Sequence, residues 1–179
     1  LSFGDNFYAR YDRFIYQEKY YSIIFNAIKI LHGHCEIFYR SHNSNRDFND
    51  YIFNFFGVHD FLTLSEDHRF EDIVYDYDLV VCNVTNCFYQ SISAGVPVIF
   101  VEPELIDNSL NLPFSGKNFD EIIRVSNSTD LINLIMRNIE NPQELSGFVD
   151  DFHAKYSEKY LGKLDGNSAK RVFDELLSD

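Results

Sequence analysis

Positive charge is scarce in this chain: 15 Lys and Arg stand against 28 Asp and Glu, a net charge of −13 at pH 7. A surface of that sign repels phosphate backbones and anionic bilayers, which argues against a broad nucleic-acid-binding or membrane-surface role. It leaves room for one small anion held by a local basic group and a helix N-terminus. Cysteine is also scarce. Cys35, Cys82 and Cys87 are odd in number and match no zinc spacing, so neither a disulfide framework nor a structural zinc site is expected. All three read as buried thiols in a reducing compartment. No apolar run approaches the roughly 20 residues a spanning helix needs, and no signal peptide is visible. The chain holds neither G-x-G-x-x-G nor G-x-x-x-x-G-K-[ST], so it has no dinucleotide fingerprint and no P-loop. The sequons at Asn83-Val84-Thr85 and Asn127-Ser128-Thr129 read as chance matches, and there is no internal repeat or low-complexity segment.

What is abundant is apolar and aromatic: 45% hydrophobic and 17% Phe and Tyr over 179 residues, enough for one domain with a sizeable core. The most informative stretch is 76–104. Leu79, Val80, Val81 and Cys82 form a continuous β-rich run, the pattern of a strand buried on both faces. Residues 83–86 are a polar turn in which Thr85 or Asn86 can cap a helix reaching about Ala94. Gly95 suits the left-handed position past a helix end, and 96–101 is a second strand with Pro97 at its opening. Two apolar strands joined by one short helix make a βαβ unit and a parallel sheet.

Around this unit the pattern alternates. Residues 1–3 suggest the tail of a strand. Helices are expected over 13–31, stopped by Gly33, and over 47–56, stopped by Gly57. Strands are expected over 36–39, 61–64 and 122–125. Ser65 or Asp67 should cap a short helix through about Tyr75. Ser128 should cap a helix with apolar Leu131, Ile132, Leu134, Ile135 and Ile139. Pro142 should open another, running toward Lys159 with Phe148, Phe152 and Tyr156 on one face. Asp165-Gly166 marks a turn before a last amphipathic helix over 168–177. Residues 103–121 have a weak pattern, and a segment of that length without elements is usually functional or mobile. Six alternations predict an α/β fold: a doubly wound, Rossmann-like parallel sheet of about six strands, with helices on both faces and closing C-terminal helices.

Ligands of such sheets sit at the C-terminal strand ends. Three groups lie there. Arg40 and His42, beyond the 36–39 strand, can donate to a phosphate. Thr85 and Asn86 sit where a helix N-terminus offers free N–H groups. Glu102 and Glu104, beyond the 96–101 strand, can accept from ribose hydroxyls. His32, His34, His59, His68 and His153 show no metal spacing, and no nucleophile–base arrangement stands out, so a catalytic base is not identified.

The run DLVVCNVTNCFYQSISAGVPVIF at 78–100 resembles the nucleotide-binding half of GT-B-fold glycosyltransferases: an Asp-led strand, a Ser/Thr-rich turn, a helix, Gly, then a Val-Pro-Val-Ile strand. Ile37-Phe38-Tyr39-Arg40-Ser41-His42 resembles the Arg/Lys-Pro-His-Pro segment of bacterial surface-polysaccharide enzymes, among them sialyl-, capsule and glycerophosphate transferases. Residues 152–177 resemble the closing helices of that group. The resemblance implies that His42 and Thr85, with Asn86, hold the phosphate of a nucleotide-sugar donor, and that Glu102 or Glu104 holds its ribose. No cofactor or metal is required by it. Ser41 and Asn43 depart from the two prolines around the family's His, and Thr-Asn stands where two hydroxyls are usual. The resemblance further implies a C-terminal donor-binding half of a longer enzyme, whose N-terminal half would bring the glycan or lipid-linked acceptor and the base. Such an enzyme would be cytoplasmic or peripheral to the inner membrane face. Two other classes fit less of the pattern. A non-hydrolysing sugar-nucleotide epimerase needs more converging carboxylates, and a response-regulator-like or other αβ binding module needs an acidic cluster at the first strand, where Asp5 stands alone.

Overall fold

The computed structural model describes residues 7–40, 46–65, 69–83, 87–104, 122–156 and 166–176. Among them are seven α-helices and five short strands, in the order α1 (Phe7–Leu31), β1 (Phe38–Tyr39), α2 (Arg46–Phe56), β2 (Thr63–Leu64), α3 (Phe70–Ile73), β3 (Val80–Cys82), α4 (Cys87–Ser93), β4 (Val98–Val101), β5 (Ile123–Val125), α5 (Ser128–Glu140), α6 (Pro142–Tyr156) and α7 (Ser168–Leu176). The strands pair in parallel, as two sheets: β1 with β2, and β3-β4-β5 with β4 central. Among the described residues the fold is therefore α/β with parallel sheets of two and three strands, and no six-stranded doubly wound sheet is formed. The strand expected at 1–3 lies outside the described residues. The split follows from how little ladder β1 and β2 supply: two residues each, held by Thr63 N–H to Ile37 O at 2.8 Å and Ser65 N–H to Tyr39 O at 3.0 Å.

The β3-α4-β4 unit is the centre. Val80 pairs with Val98 and Cys82 with Phe100. Because successive strand residues face opposite ways, β4 serves two cores at once. Val98 and Phe100 pack with Val80, Cys82, Phe88 and Ile92, and with Val149 of α6. Ile99 and Val101, both wholly buried, pack with Ile23, Ala27 and Leu31 of α1 and Leu131 of α5. Helices thus cover both faces of the three-stranded sheet. A third cluster joins Phe25 and Ile28 of α1 to Ile52, Phe53 and Val58, beside Tyr39. α1 feeds two cores from two sides, which explains why its apolar residues form no single stripe.

Glycine closes two helices by the same geometry. Gly95 has φ +77°, its N–H reaches Ile92 O at 3.0 Å, and Val96 N–H reaches Ser91 O at 2.9 Å. Gly57 has φ +64°, with Gly57 N–H on Asn54 O at 3.2 Å and Val58 N–H on Phe53 O at 3.0 Å. Both are Schellman motifs, and Val58 adds the accompanying apolar contact with Phe53. Gly33 differs: its φ is not positive, and α1 ends at Leu31 in a plain turn.

Several expected details shift. The N-cap of α5 is Asn127, not Ser128; its side chain accepts from Asp130 N–H at 2.9 Å. α3 starts at Phe70 with Arg69 before it and no side-chain cap; Ser65 instead shares a hydrogen bond with the Tyr77 hydroxyl at 3.1 Å, and Asp67 lies outside the described residues. Residues 59–61 form a 3-10 turn, so β2 is shorter than expected. Ile139 and Phe148 are exposed, and α6 buries Leu145 and Val149 in their place. The α6 side chains of Phe152 and Tyr156 lie outside the described residues, as do residues 105–121 and 157–165. Gly166, at φ +72°, makes the expected turn, and the described side chains of α7 are exposed. Of the thiols, Cys82 is buried, whereas Cys35 and Cys87 are only half-buried, and none of the three is in a disulfide.

Substitution of Gly95 by Ala should cost about 1 kcal/mol, because the strain is in the backbone and a new Cβ meets nothing within 4 Å. Gly33→Ala should be neutral or slightly stabilising, by at most about 1 kcal/mol. Urea unfolding of both variants checks the contrast, and equal losses would contradict it. Likewise Ile99→Ala should cost about 2–5 kcal/mol and Ile139→Ala less than about 1 kcal/mol by the same assay.

Candidate functional site

Two groups of polar side chains gather at the C-terminal strand ends. The first stands beyond β1 and β2. Arg40, half-buried, donates from Nη1 to Ser65 O at 2.9 Å. Ser65 Oγ shares its 3.1 Å bond with the Tyr77 hydroxyl, and the Tyr77 ring lies against Phe38 with centroids 5.4 Å apart. A guanidinium carries five donors, so the bond to Ser65 is compatible with a second, anionic acceptor.

The second group stands beyond β4 and β5. Glu102 N–H extends the ladder to Val125 O at 2.9 Å, so the residue is held at the strand end by backbone geometry. Its Oε2 lies 3.8 Å from Arg124 Nε, an ion pair just beyond hydrogen-bond length with both side chains 30% exposed. Glu104 is exposed. Its carbonyl accepts from Lys19 Nζ at 2.8 Å, and its Oε1 lies 3.5 Å from Ser126 Oγ. The carboxylate of Glu102 keeps acceptor capacity beyond the Arg124 pair, since an ionised carboxylate offers about four lone-pair sites.

α1 joins the two groups. Tyr16 and Tyr20 stand one turn apart on α1, and Lys19 between them holds the Glu104 carbonyl. Burial pushes the Tyr16 hydroxyl up to about 12, and the negative charge of Glu102 adds to the shift. Burial also holds the Tyr20 hydroxyl well above its ordinary value, with Cys82, Tyr39 and Tyr16 as electrostatic neighbours. The Cys82 thiol is pushed up by the same burial. Tyr21, whose hydroxyl is raised by burial, hydrogen-bonds Tyr39. Tyr21 thus meets Tyr39 at the end of β1, while Tyr20 packs against the core that Ile99 and Val101 make with α1 and α5.

Of the residues expected at the site, Arg40, Glu102 and Glu104 are where the strand-end argument places them. His42, Thr85 and Asn86 lie outside the described residues. Tyr16, Lys19, Ser65, Tyr77, Arg124 and Ser126 join the site without a motif to announce them. The four-residue step from Tyr16 to Tyr20 is the one signal in the sequence, and it reads equally as ordinary core spacing. An apolar dent between α4, β5 and α6, lined by Phe88, Ile92, Val98, Phe148 and Val149, presents no polar side chain. Among the described residues no group of three or more His, Cys, Asp or Glu side chains is placed to hold a metal ion, and no helix is long and apolar enough to cross a membrane. Set against protein-family models, curated proteins and solved structures, the chain matches none.

The raised hydroxyls and thiol set a pH dependence. Below the ordinary values, near 9 for Cys and 10 for Tyr, folded and unfolded states both keep the protons and stability is whole. As pH rises toward 12 the unfolded chain ionises first, and stability is lost. Urea midpoints should therefore fall between pH 9 and 12, and less steeply in Tyr16→Phe. An identical slope in the variant would show that Tyr16 does not contribute.

Proposed function

We propose that this chain is the donor-binding half of a nucleotide-sugar-dependent glycosyltransferase of the GT-B type, acting in bacterial surface-polysaccharide or glycan synthesis. The observation that carries the reading is Glu102: a half-buried carboxylate fixed at the C-terminal end of the central parallel strand, under α1 and beside Arg124. It stands where the resemblance assigns the contact with the donor ribose. Arg40 supports the same reading from the end of β1, where its guanidinium can donate to a phosphate.

In a protein of net charge −13 a dianionic donor needs local cations, and Arg40, Lys19 and Arg124 supply them among the described residues at these strand ends. On this reading Glu102 and Glu104 accept from ribose hydroxyls. Arg40 and His42, with Thr85 and Asn86, donate to the phosphates and stabilise the charge that develops there as the glycosidic bond breaks. The acceptor hydroxyl and its base come from a preceding Rossmann-like half, so the chain alone binds donor nucleotide without turning it over. The strands and helices follow the Rossmann-like order on this reading, with β1-β2 and β3-β4-β5 as two parts of one doubly wound arrangement. The acceptor is a glycan or lipid-linked hydroxyl at the cytoplasmic face of the membrane.

Calorimetric titration of the chain with CMP, CDP, UDP, GDP and ADP should find one nucleotide bound selectively. Glu102→Gln and Arg40→Ala should each weaken it about tenfold or more, the value of one charge-assisted hydrogen bond. No binding of any of the five by the folded chain, or binding indifferent to both substitutions, would overturn the reading.

A further inference from the structure

Among the described residues two apolar surfaces lack a cover, and they complement each other. The first is α7. Ala169, Val172, Phe173 and Leu176 recur at the i, i+3, i+4 and i+7 spacing of a helix that packs along one side. Yet Phe173 is 61% exposed, and every described side chain of α7 is exposed. α7 has nine residues, and an isolated helix shorter than roughly 12 is marginal in water, so its helicity calls for a partner surface. The second surface is the apolar dent between α4, β5 and α6. Its most exposed lining residue is Phe148, at 41%. Charge matches the two. On α6, exposed Asp151 stands three residues after Phe148 and shares its side of the helix. Glu144, four residues before Phe148, adds a second carboxylate, itself paired with Arg137. On α7, exposed Lys170 stands three residues before Phe173 and shares its side. Phe148 thus has an acidic border and Phe173 a basic one.

We propose that α7 seats on the dent of a second copy of this chain, and that the exchange is reciprocal. The result is a two-fold dimer in which Phe173 of each copy packs against Phe148 of the other, with Lys170 beside Asp151. Within one chain both surfaces stay uncovered, so the cover is taken from another copy. Reciprocity follows from area. A nine-residue helix is about 14 Å long, and laying one side of it down buries about 250 Å² on the helix and a like area on the dent. One such contact falls well short of the roughly 1,000 Å² a specific interface needs, whereas two related by a two-fold axis reach it. An interface at that lower limit makes a reversible dimer, with a dissociation constant of about micromolar order. This inference does not rest on the nucleotide-donor reading, and its failure leaves that reading untouched.

The test is sedimentation velocity of the full chain from about 1 to 100 μM, a range that brackets the expected dissociation constant. The native chain should pass from monomer to dimer as concentration rises. Phe173→Asp and Phe148→Asp should each weaken the dimer about tenfold or more, since each places a charge in a closed apolar contact. Phe173 is exposed in the single chain, so Phe173→Asp should leave the urea midpoint of the dilute monomer unchanged. A second pair of variants keeps the fold out of question, because both sites are exposed. Lys170→Glu alone should weaken the dimer, and adding Asp151→Lys in the same chain should restore it. A native chain that stays monomeric throughout overturns the proposal, whether α7 then covers its own dent or meets a different partner. A dimer that either Phe variant leaves intact, or one that the double charge exchange fails to restore, overturns it as well, since the two copies would then meet through other surfaces.

Discussion

The structure depends on the two-sided burial of β4. Four consecutive residues, Val98, Ile99, Phe100 and Val101, are all buried, and they alternate between a core made with α4 and α6 and a core made with α1 and α5. Parallel pairing on both edges satisfies the strand's backbone, so neither face nor edge has slack. A strand held this way is a rigid mount. The residue at its C-terminal end inherits that rigidity, and this residue is Glu102, locked by its own N–H to Val125. The site is thus placed by hydrophobic packing and a ladder hydrogen bond rather than by loop conformation.

α1 is the second constraint. It meets the three-stranded sheet through Ile23, Ala27 and Leu31, and meets α2 and β1 through Phe25 and Ile28. Its N-terminal half brings Lys19 to the Glu104 carbonyl beyond β4. One helix therefore links the two sheets and also supplies polar groups to the site. Packing that secures Phe25 between Phe53 and Phe56 also fixes where Tyr16 and Lys19 stand.

Legibility tracks locality. The β3-α4-β4 unit is readable because its evidence is contiguous: two short apolar runs, a polar turn, and a glycine that takes φ +77°. The two helix stops at Gly57 and Gly95 are readable for the same reason, as is the Pro142 start of α6. Gly33 misleads because a glycine after a helix need not adopt the left-handed cap. Asn127 displaces Ser128 as cap because both are good capping residues one position apart, and only backbone geometry chooses between them. Ile139 and Phe148 mislead because helical spacing shows which residues share a face without showing whether another element covers it. The sheet's division depends on whether β1 and β2, two residues each, also pair with their neighbours, which no local pattern encodes. At the site, Arg40, Glu102 and Glu104 can be named from strand ends alone. Tyr16, Lys19 and Arg124 cannot, since they reach the same place from elements about 20 to 85 residues away in sequence.

The central claim is that the C-terminal ends of β1 and β4, overlain by α1, form one nucleotide site. Mapping amide shift changes by NMR as the best-binding nucleotide is added tests this most directly. The account predicts that the largest changes fall on Tyr16, Arg40, Ser65, Glu102, Glu104 and Ser126, with the apolar dent around Phe88 and Phe148 undisturbed. Shifts centred on that dent or on α7, with the strand ends silent, would contradict it.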